Sequence, residues 1–152
     1  MVVAFVLVDY EPVRNLLRLD EFYTSAVVFL SAWLIDAIGI AVVADGAMLR
    51  LSSAAMYVKF GCNGLEAILL FMAAVLAYPS SWRLKIIGII VGSTILQILN
   101  ILRIALLAWV LEYHPQNFAL MHEYVTQSIM IALAFILFLF YLQVSEHEHK
   151  NR

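Results

Sequence analysis

The sequence predicts an all-α integral membrane protein: a polytopic bundle of about four transmembrane helices, with a short irregular or hairpin segment outside the membrane ahead of Cys62. Composition is the first observation, since 64% of the 152 residues are hydrophobic, 13% are charged and the mean hydropathy is +0.94. Soluble domains lie far from those values. The second is the recurrence of apolar runs close to the ~20 residues that a helix needs to cross a bilayer. The third is that turn and charged residues gather between those runs. A net charge of -2 provides no polybasic surface, which argues against nucleic acid as a partner and leaves the lipid bilayer as the surrounding phase. The single cysteine cannot form an internal disulfide, so any role it has is that of a free thiol. No repeat, linker or heptad pattern divides the chain further.

Taken in order, residues 1–21 form an N-terminal surface segment, 22–144 a single membrane domain and 145–152 a charged cytoplasmic tail. Met1 to Val8 is apolar but too short to span, and it lacks the flanks of a signal peptide. Glu11 to Glu21 sets Arg14 and Arg18 among leucines, the pattern of an amphipathic segment at a membrane surface. The first span is expected over 22–44, interrupted by Asp36. A carboxylate at a helix centre costs roughly 2.5–3.5 kcal/mol on insertion scales, so this segment either spans with Asp36 toward its end or lies in the interface.

Asp45-Gly46 signals a turn, and Met56 to Phe60 alternates like a short strand. The second span, about 61–78, reaches near-spanning length only when counted from Gly61, which puts Cys62 at the membrane boundary. Pro79 to Lys85 reads as a tight turn with an interfacial tryptophan and two cations. The third span, about 86–111, carries Gly88, Gly92 and Ser93 for close packing, then Gln97, Asn100 and Arg103 at every third position, near one helical face. A connection from Glu112 to Met121 leads to His122 and to a fourth span, about 125–144. Trp82, Trp109, Tyr78, Tyr113, Tyr124 and Tyr141 fit interfacial aromatic belts. With four spans, Arg14, Arg18, Arg83, Lys85, Lys150 and Arg152 fall on one side and Arg50, Lys59 and Arg103 on the other. Lys and Arg are enriched on cytoplasmic flanks, so Cys62, Arg103 and His122 are expected to face the exterior.

Those three residues carry the candidate chemistry. A lone membrane cysteine is ordinarily a small packing residue. Cys62, however, lies between Gly61 and Gly64 at the start of a helix, where free amide N–H groups and the helix dipole favour a thiolate and offer an oxyanion site. Arg103 has Leu106 to Trp109 still ahead of it in its span, so it needs a polar partner or a wet cavity. Gln97 and Asn100 are expected to hold its guanidinium, leaving the cation to stabilise a thiolate or a tetrahedral intermediate. His122 would serve as general acid or base at neutral pH, with Glu123 or Thr126 to orient it. Glu66 is either a partner of Arg103 or an acidic residue favoured at a helix start. Cys62, His114, His122 and Glu123 lack zinc-site spacing, so no metal or other cofactor is expected. A rival class is a non-catalytic membrane subunit or small carrier in which Arg103 and Asn100 serve packing or substrate passage, with Cys62→Ser nearly silent.

Gly-Cys-Asn-Gly at Cys62, Asn-x-x-Arg at Arg103 and His122 before a final span resemble the exosortase/archaeosortase family, in that family's order. Gly61-Cys62-Asn63-Gly64-x-Glu66-Ala67 followed by Gln97, Asn100 and Arg103 looks most like the short branch called exosortase H, over roughly residues 38–142. The resemblance implies a membrane-embedded cysteine peptidase or transpeptidase of a bacterial inner membrane, with its site facing the periplasm. It would cleave C-terminal sorting signals, each a short motif, a transmembrane helix and a basic cluster, on exported proteins. Cys62 would be the nucleophile, His122 the general acid/base and Arg103 the electrostatic stabiliser, with Asn63, Gly64, Glu66, Gln97 and Asn100 in support. Short family members usually begin with a full apolar helix. Here either the start is truncated or 22–44 serves as the first span.

Overall fold

The apolar run that begins at Phe22 stops being helical well before Ala44, and local hydrogen bonding explains why. In the computed structural model, which describes residues 19–58 and 62–150, helix α1 covers Leu19–Ala37. Gly39, at φ 87°, donates to the Asp36 carbonyl (2.9 Å), and Ile40 donates to the Ile35 carbonyl (3.3 Å). This pair of bonds closing around a left-handed glycine is a Schellman stop, which satisfies the last carbonyls and turns the chain away. The stretch expected to complete the span instead forms β1, Val42–Asp45. Residues 1–18, 59–61 and 151–152 lie outside the described residues, and with them most of the expected surface segment, the end of the tail, and Arg14, Arg18, Lys59 and Gly61.

The hairpin expected before Cys62 is a three-stranded antiparallel sheet in the order β1-β2-β3, with β2 at Met48–Leu51 and β3 at Ala55–Tyr57. Asp45 pairs with Met48 across the Asp45-Gly46 turn, and Leu49 pairs with Met56. Leu49, Met56 and Val58 are buried against Val28 and Ile35 of α1.

Helix α2, Leu65–Ala77, is 13 residues long, about 20 Å at 1.5 Å per residue. Its C-terminal end is held by Lys85 Nζ, which donates to the Leu76 carbonyl at 2.7 Å. Helix α3 then starts at Trp82, earlier than the expected turn allows, because the Ser81 hydroxyl caps it by accepting from the Leu84 N–H. It runs unbroken through Trp82–Tyr113, about 48 Å, which exceeds the ~30 Å hydrocarbon core. Helical turns at Pro115–Asn117 and Phe118–Leu120 and a π-helical turn at Met121–Val125 lead into α4, Thr126–Lys150. Two segments, Trp82–Tyr113 and Pro115–His147, are long and apolar enough to cross a membrane.

Two apolar clusters divide the molecule. One joins α2, α3 and α4 through Ile68, Phe71, Val75, Leu96 and Tyr141. Gly92 lets Phe71 reach the backbone of α3, since a Cβ there would lie 2.2 Å from the ring. Gly88 does the same for Tyr141, which is buried and hydrogen-bonded to Ser80 rather than set in an aromatic belt. The other cluster packs α1 and the sheet on the second half of α3, through Ile104, Leu107 and Ala108. Ser53 Oγ donates to Glu112 Oε2 at 2.8 Å and ties the β2–β3 turn to the end of that helix.

Candidate active site

The seam between the two clusters is where the polar side chains meet. Asn63 organises the start of α2. Its Oδ1 accepts from the Leu65 N–H at 3.1 Å, and its Nδ2 donates to Thr24 Oγ1 of α1 at 2.9 Å, so the residue after the cysteine is fixed to two helices at once. Gly64 follows at φ 83°, a conformation that only glycine adopts without strain. It also lies hard against Asn100, since a Cβ would sit 2.8 Å from that side chain. The half-buried Cys62 is thereby held at the entrance of α2.

His122 reaches the thiol from the other side, with Nε2 3.0 Å from Cys62 Sγ. It sits in the π-helical turn, whose extra residue per turn shifts side-chain register relative to α4. Phe118 stacks on its ring at a centroid distance of 5.5 Å. Arg103, only 7% exposed, has its guanidinium in electrostatic and hydrogen-bonding contact with Cys62. Its Nε donates to Thr126 Oγ1 at 3.0 Å, and the Thr126 hydroxyl donates to the His122 carbonyl at 3.2 Å. Cysteine, histidine and arginine thus converge although they are far apart in sequence. The arrangement can move a proton between sulfur and imidazole and hold a cation beside the sulfur.

Gln97 and Asn100 do not hold the guanidinium, contrary to expectation. Gln97 Oε1 accepts from the Tyr23 hydroxyl of α1, and Gln97 Nε2 and both polar side-chain atoms of Asn100 are buried without a partner among the described residues. The reason is helical geometry. Three residues turn ~300°, so each step falls ~60° short of a full turn. Gln97 therefore faces α1, Asn100 faces the start of α2, and Arg103 faces Cys62 and α4. Of the two residues offered to orient His122, Thr126 bonds to its backbone, while Glu123 is exposed. Glu66 lies in the first turn of α2 and lines a crevice shared with Arg103. Sequence reasoning missed Thr24 and Phe118. A hydroxyl near the start of an apolar run was the available signal for Thr24, and the i,i+4 spacing to His122 was the one for Phe118.

Residues 1–141 match the family model described as transmembrane exosortase (Exosortase_EpsH). No curated protein and no solved structure matches the chain.

Proposed function

Because the chain belongs to the transmembrane exosortase family, we propose that it is a cysteine peptidase or transpeptidase that cleaves C-terminal sorting signals from exported proteins. The observation that carries this reading is the 3.0 Å contact between Cys62 Sγ and His122 Nε2, with Arg103 against the same sulfur. Spacing of that kind is what an activated thiol nucleophile requires. In the proposed cycle His122 takes the thiol proton, and Cys62 Sγ attacks the carbonyl carbon of the scissile peptide. Arg103 and the amide N–H groups at the start of α2 stabilise the oxyanion. His122 then returns the proton to the leaving amine, the C–N bond breaks, and the substrate's membrane anchor departs. The thioester that remains on Cys62 is resolved by water or by an acceptor amine, with His122 accepting the proton of the incoming nucleophile.

The site is proposed to face the periplasm of a bacterial inner membrane, so that a sorting motif reaches it from outside while its helix stays in the bilayer. The test is processing of a co-expressed exported protein bearing a motif, helix and basic tail, at equal membrane abundance of wild type and variants. Cys62→Ala is expected to abolish cleavage, His122→Ala to lower it by about 10²–10⁴-fold and Arg103→Ala by about 10²–10³-fold. Cleavage retained by Cys62→Ala overturns the reading and returns Arg103 and Asn100 to packing or passage in a non-catalytic subunit.

A further inference from the structure

A crevice of about 220 Å³ opens between α2 and α4, with Arg103 in its wall. Arg103 also interacts electrostatically with Cys62, so its side chain stands between the crevice and the sulfur. On the α2 side its wall is Gly64 at the helix cap, then Glu66, Ala67 and Leu70 over the first two turns. On α4 it passes from Gln127 to Ile131. Polar groups therefore lie at the end nearest the sulfur and apolar groups farther along both helices. Leu70 is 40% and Ile131 58% exposed, so the far end is open and merges with the apolar outer surface of the bundle.

Resting on the peptidase reading above, we infer that this crevice receives a side chain from the first turn of the substrate's membrane anchor, the segment on the leaving-amine side of the scissile bond. The attacked carbonyl must come within ~3–3.5 Å of Sγ, and an extended residue advances only ~3.3 Å. An anchor that begins within a few residues of the scissile bond therefore stays close to the site as it turns down along the bundle into the lipid. The crevice is a path with both properties. Its volume suits one bulky side chain, not a helix. The small residues Gly64 and Ala67 let an anchor backbone approach α2 closely, as small residues do at helix contacts in membranes. One anchor side chain then fills the crevice, and the rest of the helix lies against Leu70 and Ile131.

The experiment is cysteine cross-linking in full-length chain carrying Cys62→Ala, so that bound substrate is held uncleaved. Leu70→Cys and Ile131→Cys are paired with cysteines placed one at a time on the acyl side of the scissile bond and through the first turns of the anchor of a substrate that wild type cleaves. Ile90→Cys and Ile98→Cys, on exposed positions of α3, serve as controls. The expected result is disulfides at the two crevice positions, recurring every three or four residues along the anchor, and few at the controls. Cross-links concentrated at the controls, absent from the crevice, or formed there with residues on the acyl side overturn the inference. Independently, Ala67→Phe is expected to lower kcat/KM for that substrate at least tenfold while a small haloacetamide alkylates Cys62 at the wild-type rate; undiminished cleavage counts against the crevice. The two proposals fail separately. If wild type cleaves, Cys62→Ala does not, and the crevice fails to cross-link, only the anchor assignment falls. If Cys62→Ala still cleaves while the crevice cross-links form, the peptidase reading falls and the crevice remains a docking surface for a membrane helix.

Discussion

Thr126 is the side chain through which the cation and the imidazole are made to depend on one another. Its hydroxyl accepts from Arg103 Nε and donates to the His122 carbonyl, and the residue is buried. Hydrogen bonds to charged groups contribute about 1.5–3 kcal/mol, and losing one leaves a buried donor unsatisfied. Thr126→Val keeps the shape and removes both bonds, so kcat/KM for a cleaved substrate is expected to fall roughly 10- to 100-fold. Thr126→Ser, which restores the hydroxyl, is expected to recover most of it. Equal losses in the two variants would assign Thr126 to packing alone. Asn100 makes the converse case. It is fully buried with two unpartnered polar atoms among the described residues, and such atoms cost about 1–3 kcal/mol each. A residue kept at that cost next to Gly64 and one turn from Arg103 is expected to serve the reaction at the expense of stability. Asn100→Leu should leave the melting temperature in detergent unchanged or raised while lowering cleavage at least tenfold. A variant that is more stable and fully active would show the amide to be dispensable.

The elements meet at two glycines that share a left-handed backbone and differ in what surrounds them. A Cβ on Gly39 would touch nothing within 4 Å, whereas one on Gly64 would lie 2.8 Å from Asn100. Gly39→Ala is thus expected to lose only the positive-φ cost of about 1–2 kcal/mol, with cleavage retained. Gly64→Ala bears the same cost and in addition pushes the start of α2 away from α3, so its cleavage should fall far more than its melting temperature explains. Comparable activity in the two variants would uncouple that contact from the site. The same two glycines mark how far local sequence carries. Apolar run lengths were enough to foretell α2, α3 and α4, and the Asp45-Gly46 turn was enough to foretell a hairpin. The end of α1 was legible in principle, since Gly39 is an ordinary C-terminal stop, but the apolar residues that continue past it to Ala44 masked the signal. Cys62, Arg103 and His122 stood out by type and by height along their helices. What no spacing discloses is which faces meet: Cys62 and His122 come into contact from separate elements, and Gln97 leaves the site through the ~60° lag of each three-residue step.

The whole molecule is a multi-pass membrane protein of the transmembrane exosortase family, built as two apolar clusters stacked along α3 with the polar seam between them. Length and charge support the proposed position of that seam in the bilayer. From Trp82 to Arg103 the helix rises about 31 Å, close to the ~30 Å of hydrocarbon, so a boundary at Trp82 sets Arg103 at the opposite one. Trp82 is exposed, carries Lys85 over its ring and is followed by Arg83, which marks that end as the cation-rich side. Lys and Arg gather on the cytoplasmic side, which supports the proposed orientation with the seam facing outward. A small charged methanethiosulfonate added to intact spheroplasts is therefore expected to modify Cys62 in the wild-type chain. On a Cys62→Ala background, Glu146→Cys in the last part of α4 should react only after permeabilisation. The opposite pattern would invert the orientation and bring the sulfur to the cytoplasmic face. A substrate anchored after export could not reach it there, so this labelling decides between a site that acts on exported proteins and one that does not.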